Sequence, residues 1–149
     1  MDKFFLKIFY NLAVIYWNIF KPTTVGVRVV VENEGKVLLV KPSYSLWYYF
    51  PGGGVDHNKE SLEEAALREL KEETNLIGKN LQLFDVHRNF IHNKRDTVIT
   101  YKAEIDNSDE IKIDQVEIID YGWFYPEALP SNTHELTKRA LKILYNQVK

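Results

Sequence analysis

Glu60, Glu69, Glu72 and Glu73 lie within fourteen residues of one another, directly after the glycine run Gly52-Gly53-Gly54. On a helix the last three are neighbours at three- and four-residue spacing, where each like-charged pair costs about 0.2–0.5 kcal/mol. Something has to offset that repulsion. Hard divalent cations take oxygen ligands, and magnesium in particular is held by a few carboxylates together with the phosphates of a substrate. A bound cation therefore turns three repelling charges into ligands. The glycines permit a carbonyl to turn inward beside them. Arg68 can reach Glu64 and Glu72 at helical spacing or fold back to Glu60, which then orients the loop or supports a ligand from outside.

The element that must position these groups is a helix. Ser61 with Glu64 three residues on is a capping-box pair, so the helix is expected to start there and run through Glu73. Leu62, Ala66, Leu67 and Leu70 would form its buried side, with the three glutamates on an adjoining arc. Asn75 suits a left-handed C-terminal position.

This segment resembles the box of the Nudix hydrolases, G-x(5)-E-x(7)-R-E-U-x-E-E-x-G-U with U a bulky aliphatic residue. Gly54, Glu60, Arg68, Glu69, Leu70, Glu72, Glu73 and Leu76 meet eight of its nine specified positions, and Asn75 stands where the family has glycine. Weaker likeness extends to "VLLVK", "YYFPGGGV" and "DYGWFYPEALP" in the order the family uses. The resemblance implies hydrolysis of a nucleoside diphosphate linked to another moiety, with Mg2+ or Mn2+ as Lewis acid and template. It implies Glu69, Glu72, Glu73 and the Gly53 carbonyl as metal ligands, Glu72 and Glu73 as catalytic, and Gly54, Glu60 and Arg68 as structural parts of the motif. In some members the general base is a glutamate six residues before the tryptophan of a late strand. Glu117 has that distance from Trp123; Asp114, Asp120 or a box glutamate are the alternatives. The substrate is left open among a nucleoside triphosphate, a nucleotide sugar such as ADP-ribose and a dinucleoside polyphosphate. A catalytically silent nucleotide-binding module of the same fold is the rival reading.

Positive side chains on strands facing the pocket would neutralise phosphate charge, and Arg28 and Lys41 are the first candidates, followed by Arg88 and Arg95. Tyr44, Trp47 or Tyr48 can stack on a base. His57, His87, His92 and His134 have no metal-ligand spacing.

The rest of the chain fits an α/β sandwich of the Nudix type with a mixed sheet. "TTVGVRVVVENEGKVLLVKPS" reads as a hairpin turning at Asn33-Glu34-Gly35, and "YSLWYYFPGGGV" as a short strand entering a shaped loop. "LQLFDVHRNFIH" and "TVITYKAEI" read as strands joined by a turn at "NKRD", and "YGWFY" as the last strand. The acidic "DNSDEIKIDQVEIID" reads as a loop holding one short strand. Helical spacing from Ser131 onward places Leu136, Ala140, Ile143, Leu144 and Val148 on one side.

With 149 residues, 45% hydrophobic and 27% charged, the chain has the composition of one globular domain, assigned to residues 22–149. A net charge of -2 gives no long-range attraction to duplex nucleic acid. The lack of cysteine removes disulfides, thiolate nucleophiles and Cys-based zinc sites, and is compatible with a cytoplasmic location. Residues 1–21 are a separate matter. From Phe4 to Phe20 they are the most apolar stretch, with Lys7, Asn11 and Asn18 as a narrow polar stripe, yet a spanning helix needs about 20 apolar residues. The expectation is a helix packed on its own domain or in a homodimer, or else lying at a membrane surface. Pro22 would end it.

Overall fold

The computed structural model describes residues 3–20, 23–89, 95–106 and 110–146, with the side chains of residues 3–6, 17 and 89 left aside. Helix α1 (Lys3–Phe20) precedes the hairpin β1 (Thr23–Asn33) and β2 (Lys36–Pro42). Then come α2 (Leu62–Thr74), β3 (Gly78–Asn89), β4 (Arg95–Ile105), β5 (Ile118–Phe124) and α3 (Glu135–Asn146). The five strands form one mixed sheet in the order β3-β4-β1-β2-β5, with β1 and β4 parallel and the other neighbours antiparallel.

Alternation along β1 explains the layering. Val27, Val29 and Val31 point to one side, where they join Leu38, Ala65, Ala66, Leu70 and Leu76 beneath α2. Val30 points to the other and meets Leu39, Tyr48, Phe50, Ala140 and Leu141 beneath α3. A strand apolar on both faces is what a sheet covered on both sides requires. Leu70 is fully buried, so truncating it to alanine would cost about 2–5 kcal/mol through lost burial plus the cavity left behind.

The hairpin turn lies where the spacing places it: Glu34 and Gly35 have φ of 50° and 76°, the positive pair that a two-residue turn matched to strand twist demands. The helix start and stop also agree. Ser61 accepts from the Glu64 N–H and its own N–H donates to the Glu64 carboxylate. Asn75 closes α2 in the left-handed conformation at φ 63°.

Other details differ from expectation. Residues 44–50 make only isolated bridges, Tyr49 to Val40 and Tyr48 to Thr133; the bulky rings pack in place of a strand ladder. On α2, Ala65 is buried, whereas Leu62 and Leu67 are only partly so. Arg95 and Asp96 of the supposed turn belong to β4, while Asn93 and Lys94 lie outside the described residues. No strand forms between residues 110 and 117. Instead the Lys112 and Asp114 N–H groups donate to the carbonyls of Thr74 and Glu73, satisfying acceptors that the end of α2 leaves open. α3 begins at Glu135, and Val148 lies outside the described residues. On α1, Phe9, Leu12, Ile15, Tyr16, Ile19 and Phe20 are each more than half exposed, so this arc is not packed on the domain.

Candidate active site

The capped start of α2 sets the phase of the helix and so brings Arg68, Glu69, Glu72 and Glu73 against the glycine run. Arg68 is the hub. Its Nε and Nη2 donate to the two oxygens of Glu60 at 2.8 and 2.6 Å, Nη1 donates to Glu69 at 2.8 Å and Glu72 at 3.0 Å, and Nη2 also reaches the Gly54 carbonyl. Glu60 in turn accepts from the Asp56 N–H at 2.9 Å. The Arg68 hydrogen bonds, then that of Asp56, hold the Glu60 carboxyl down at about 2, and the three carboxylates raise Arg68 further above its ordinary value.

Glu73 is 5% exposed and accepts from the Gly52 N–H at 2.8 Å. Burial pushes its carboxyl up to about 7, against the opposing pull of Arg28 and Gly52, and the charges of Glu69 and Glu117 push in the same direction. Desolvation likewise raises Glu69, with Arg68 opposing. Glu117 is raised by desolvation and by Asp114, Glu69 and Glu72. Five carboxylates from two segments, Glu69, Glu72 and Glu73 with Asp114 and Glu117, are therefore electrostatically linked.

Their oxygens are not gathered around one point. Among the described residues, no group of three or more His, Asp or Glu side chains is close enough to hold a metal ion. The reason is local: Arg68 draws Glu69 and Glu72 to itself, and Glu73 is turned onto Gly52. The Gly53 carbonyl expected to face inward already accepts from the Val27 N–H at 2.9 Å, leaving one lone pair. As a donor set the residues fit a hard dication, being all oxygen, close along one helix face and including a carboxylate raised first by burial and then by its anionic neighbours. A Cβ at Gly53 would come within 2.6 Å of the Glu69 carboxylate, so any side chain there would displace that carboxylate.

On the other side of the glycine run lies a cavity of about 1000 Å³, floored by β1 and β4 and walled by α3. Arg28, Tyr44, Trp47 and Gly53 line it. Arg28 donates to the Phe50 carbonyl at 3.1 Å and the Gly52 carbonyl at 2.6 Å, so it anchors the glycine loop while presenting charge to the cavity. Trp47 meets His134 edge-on. Tyr44 stacks on Tyr10 of α1 with ring centres 4.9 Å apart.

Several sequence candidates stand elsewhere. Lys41 faces the Tyr48 ring and pairs in register with Asp120, and neither it nor Asp120 lines the cavity. Tyr48 is buried and donates its hydroxyl to Asp120, so it presents no face for stacking. Arg88 and Arg95 are exposed on β3 and β4 and do not line the cavity. Asp114 caps its own loop by accepting from Val116 N–H.

Four cavity residues carried no signal in the sequence. Tyr49 lies under Arg28 at 5.1 Å and stacks on His134 at 4.8 Å. Tyr10 arrives from outside the domain. His87 bonds Asp85 through Nδ1, and its buried Nε2 has no hydrogen-bond partner among the described residues. Alternation could have placed His87 on a strand face, but only the fold shows what that face borders.

The profile of the NUDIX domain family matches residues 22–146. An ADP-ribose pyrophosphatase from Methanocaldococcus jannaschii is 37% identical over 79 residues, which are 51% of this chain and 46% of that protein. The chain thus spans about half the length of that relative. The crystal structure of a MutT NUDIX hydrolase from Burkholderia pseudomallei superposes with a TM-score of 0.73 at 25% identity, covering 85% of this chain and 98% of the other. The NUDIX domain of Shewanella oneidensis NrtR, crystallised with ADP ribose, superposes with a TM-score of 0.71 at 19% identity, covering 88% and 92%.

Proposed function

Because this chain belongs to the NUDIX domain family, we propose that it hydrolyses the pyrophosphate bond of a nucleoside diphosphate linked to a second moiety, with Mg2+ or Mn2+ at the α2 carboxylates. One observation carries the reading. Gly53 has the Glu69 carboxylate against one side and lines the large aromatic cavity on the other, so a nucleotide seated in the cavity would bring its phosphates toward the carboxylates of α2.

Glu69, Glu72 and Glu73 would hold the cation, with the remaining lone pair of the Gly53 carbonyl as a further donor. When bound, the ion supplies Lewis acidity and a template for the diphosphate. The chain's own residues do the rest. Arg68 fixes Glu69 and Glu72 from behind, and Arg28 supplies positive charge where it builds on the phosphoryl group. Tyr44, Trp47, Tyr49 and His134 present aromatic faces for the base. Glu117 takes the proton of the attacking water; its raised pKa brings it closer to neutral pH, where a general base works best. The reading is supported by the M. jannaschii relative, and ADP-ribose is the first substrate to try, ahead of nucleoside triphosphates and dinucleoside polyphosphates.

A panel of these nucleotides, assayed for monophosphate, pyrophosphate and phosphate release with Mg2+ and with Mn2+, tests it. Turnover that disappears in the Glu72→Gln, Glu73→Gln double variant while the fold persists is the expected result. Nucleotide binding without turnover by the parent would favour the silent module, and equal turnover by the double variant would refute the assigned roles.

A further inference from the structure

We propose that α1 is part of the nucleotide site, with Tyr10 as a positioning residue that holds the Tyr44 ring in the pose that receives the base. The inference rests on the reading of Tyr44 as a base platform. The family profile begins at residue 22, so the part of the chain that gathers the α2 carboxylates does not itself supply Tyr10. α1 turns one particular side inward. Among its described side chains Tyr10, Ala13 and Val14 are half-buried and the rest are exposed, and spacings of three and four place those three residues on one side of the helix. From that side Tyr10 lines the cavity. Its ring stacks on Tyr44 with centres 4.9 Å apart and planes 19° from parallel, within the offset-stacked range that aromatic pairs favour.

Tyr44 needs such a partner. It stands in the turn after β2, 42% exposed, on a segment whose strand pairing is limited to the isolated bridges of Tyr48 and Tyr49. A ring so placed has rotamer freedom that stacking on a base would have to remove. Tyr10 removes it before the nucleotide arrives. Desolvation raises the Tyr44 hydroxyl, with Arg28 opposing and Glu73 reinforcing, so the ring also lies within range of the charges at the phosphate end. Fixing Tyr44 therefore sets the base in register with the diphosphate.

The test compares the full parent chain with Tyr10→Ala and Tyr10→Phe on ADP-ribose, ATP and a diadenosine polyphosphate in Mg2+, reading KM and kcat where there is turnover and Kd by calorimetry where there is none. Tyr10→Ala should raise KM or Kd about two- to tenfold and leave kcat within about twofold, the mark of binding shared by ground and transition states. Tyr10→Phe keeps the ring and should restore most of the parent value. Affinity for ribose 5-phosphate, which has no base, should not change. In a Tyr44→Ala background Tyr10→Ala should have no further effect, because its action runs through that ring; this arm separates positioning from a general disturbance of the fold. Unchanged affinity in Tyr10→Ala, an equal loss for ribose 5-phosphate, full additivity of the two alanines, or a parent that binds none of these nucleotides would overturn the proposal. Turnover with a KM indifferent to Tyr10 refutes this inference and leaves the hydrolase reading, whereas binding that depends on Tyr10 without turnover does the reverse.

Discussion

Replacing Glu73 by glutamine isolates what the fold does with one buried charge. The folded-state pKa of Glu73 is about 7 against an ordinary 4.5, so between those values the native protein binds a proton that the unfolded chain has released. Stability is then fully present below pH 4.5 and is lost as the pH rises through 7. At 1.36 kcal/mol per pH unit, that interval amounts to about 3 kcal/mol. Glutamine is neutral throughout and keeps an oxygen for the Gly52 N–H. In EDTA the variant should therefore match the parent near pH 4.5 and exceed it by about 3 kcal/mol at pH 8, or about 6–12 °C in melting temperature. Urea unfolding of both proteins across this range measures the difference, and other titrating groups cancel in it. Magnesium should narrow the gap at pH 8 for the parent alone, since a ligand of the native state at one hundred times its Kd adds about 2.7 kcal/mol. A difference independent of pH, or a variant weaker than the parent at pH 8 without metal, would refute the argument that burial governs this carboxyl.

Arg68→Lys cannot reproduce the two-pronged contact with Glu60 together with the bonds to Glu69 and Glu72; kcat should fall at least about tenfold, measured by steady-state hydrolysis, with the circular dichroism spectrum retained. Gly53→Ala drives a methyl against the Glu69 carboxylate, so turnover should fall and the metal dependence shift to higher concentration, read from magnesium titrations of rate. Gly52→Ala meets the Val27 carbonyl at 2.1 Å from a φ of 144°, and denaturant unfolding should show a loss of about 3 kcal/mol or more. Asn75→Val places a branched side chain in the left-handed cap and should destabilise α2 by about 1–2 kcal/mol in the same assay.

What could be read in advance followed from local rules. Ser61, Glu64 and Asn75 declared both ends of α2 because caps are decided within a few residues, and Asn33 to Gly35 declared the hairpin for the same reason. The box made Glu60, Arg68 and the three glutamates legible as a group. It did not reveal that Arg68 binds three carboxylates at once, because helical spacing offers several partners and only the packed geometry settles how many are taken. Lys41 and Tyr48 misled because their position along the chain is near the glycine run while β2 and β5 direct them together. Tyr10, Tyr49, His87 and His134 come from four separate segments, and their meeting in one cavity depends on tertiary contacts that no single stretch encodes.

The backbone bonds from Lys112 and Asp114 to Thr74 and Glu73 tie the segment carrying Glu117 to the last turn of α2. Glu117 is held from two sides, because its own carbonyl accepts from the Ser43 N–H at 2.7 Å while the residues before it bond the end of α2. The relative placement of the proposed proton acceptor Glu117 and the proposed cation ligand Glu73 is thus set by backbone hydrogen bonds joining three segments, and not by the two side chains alone.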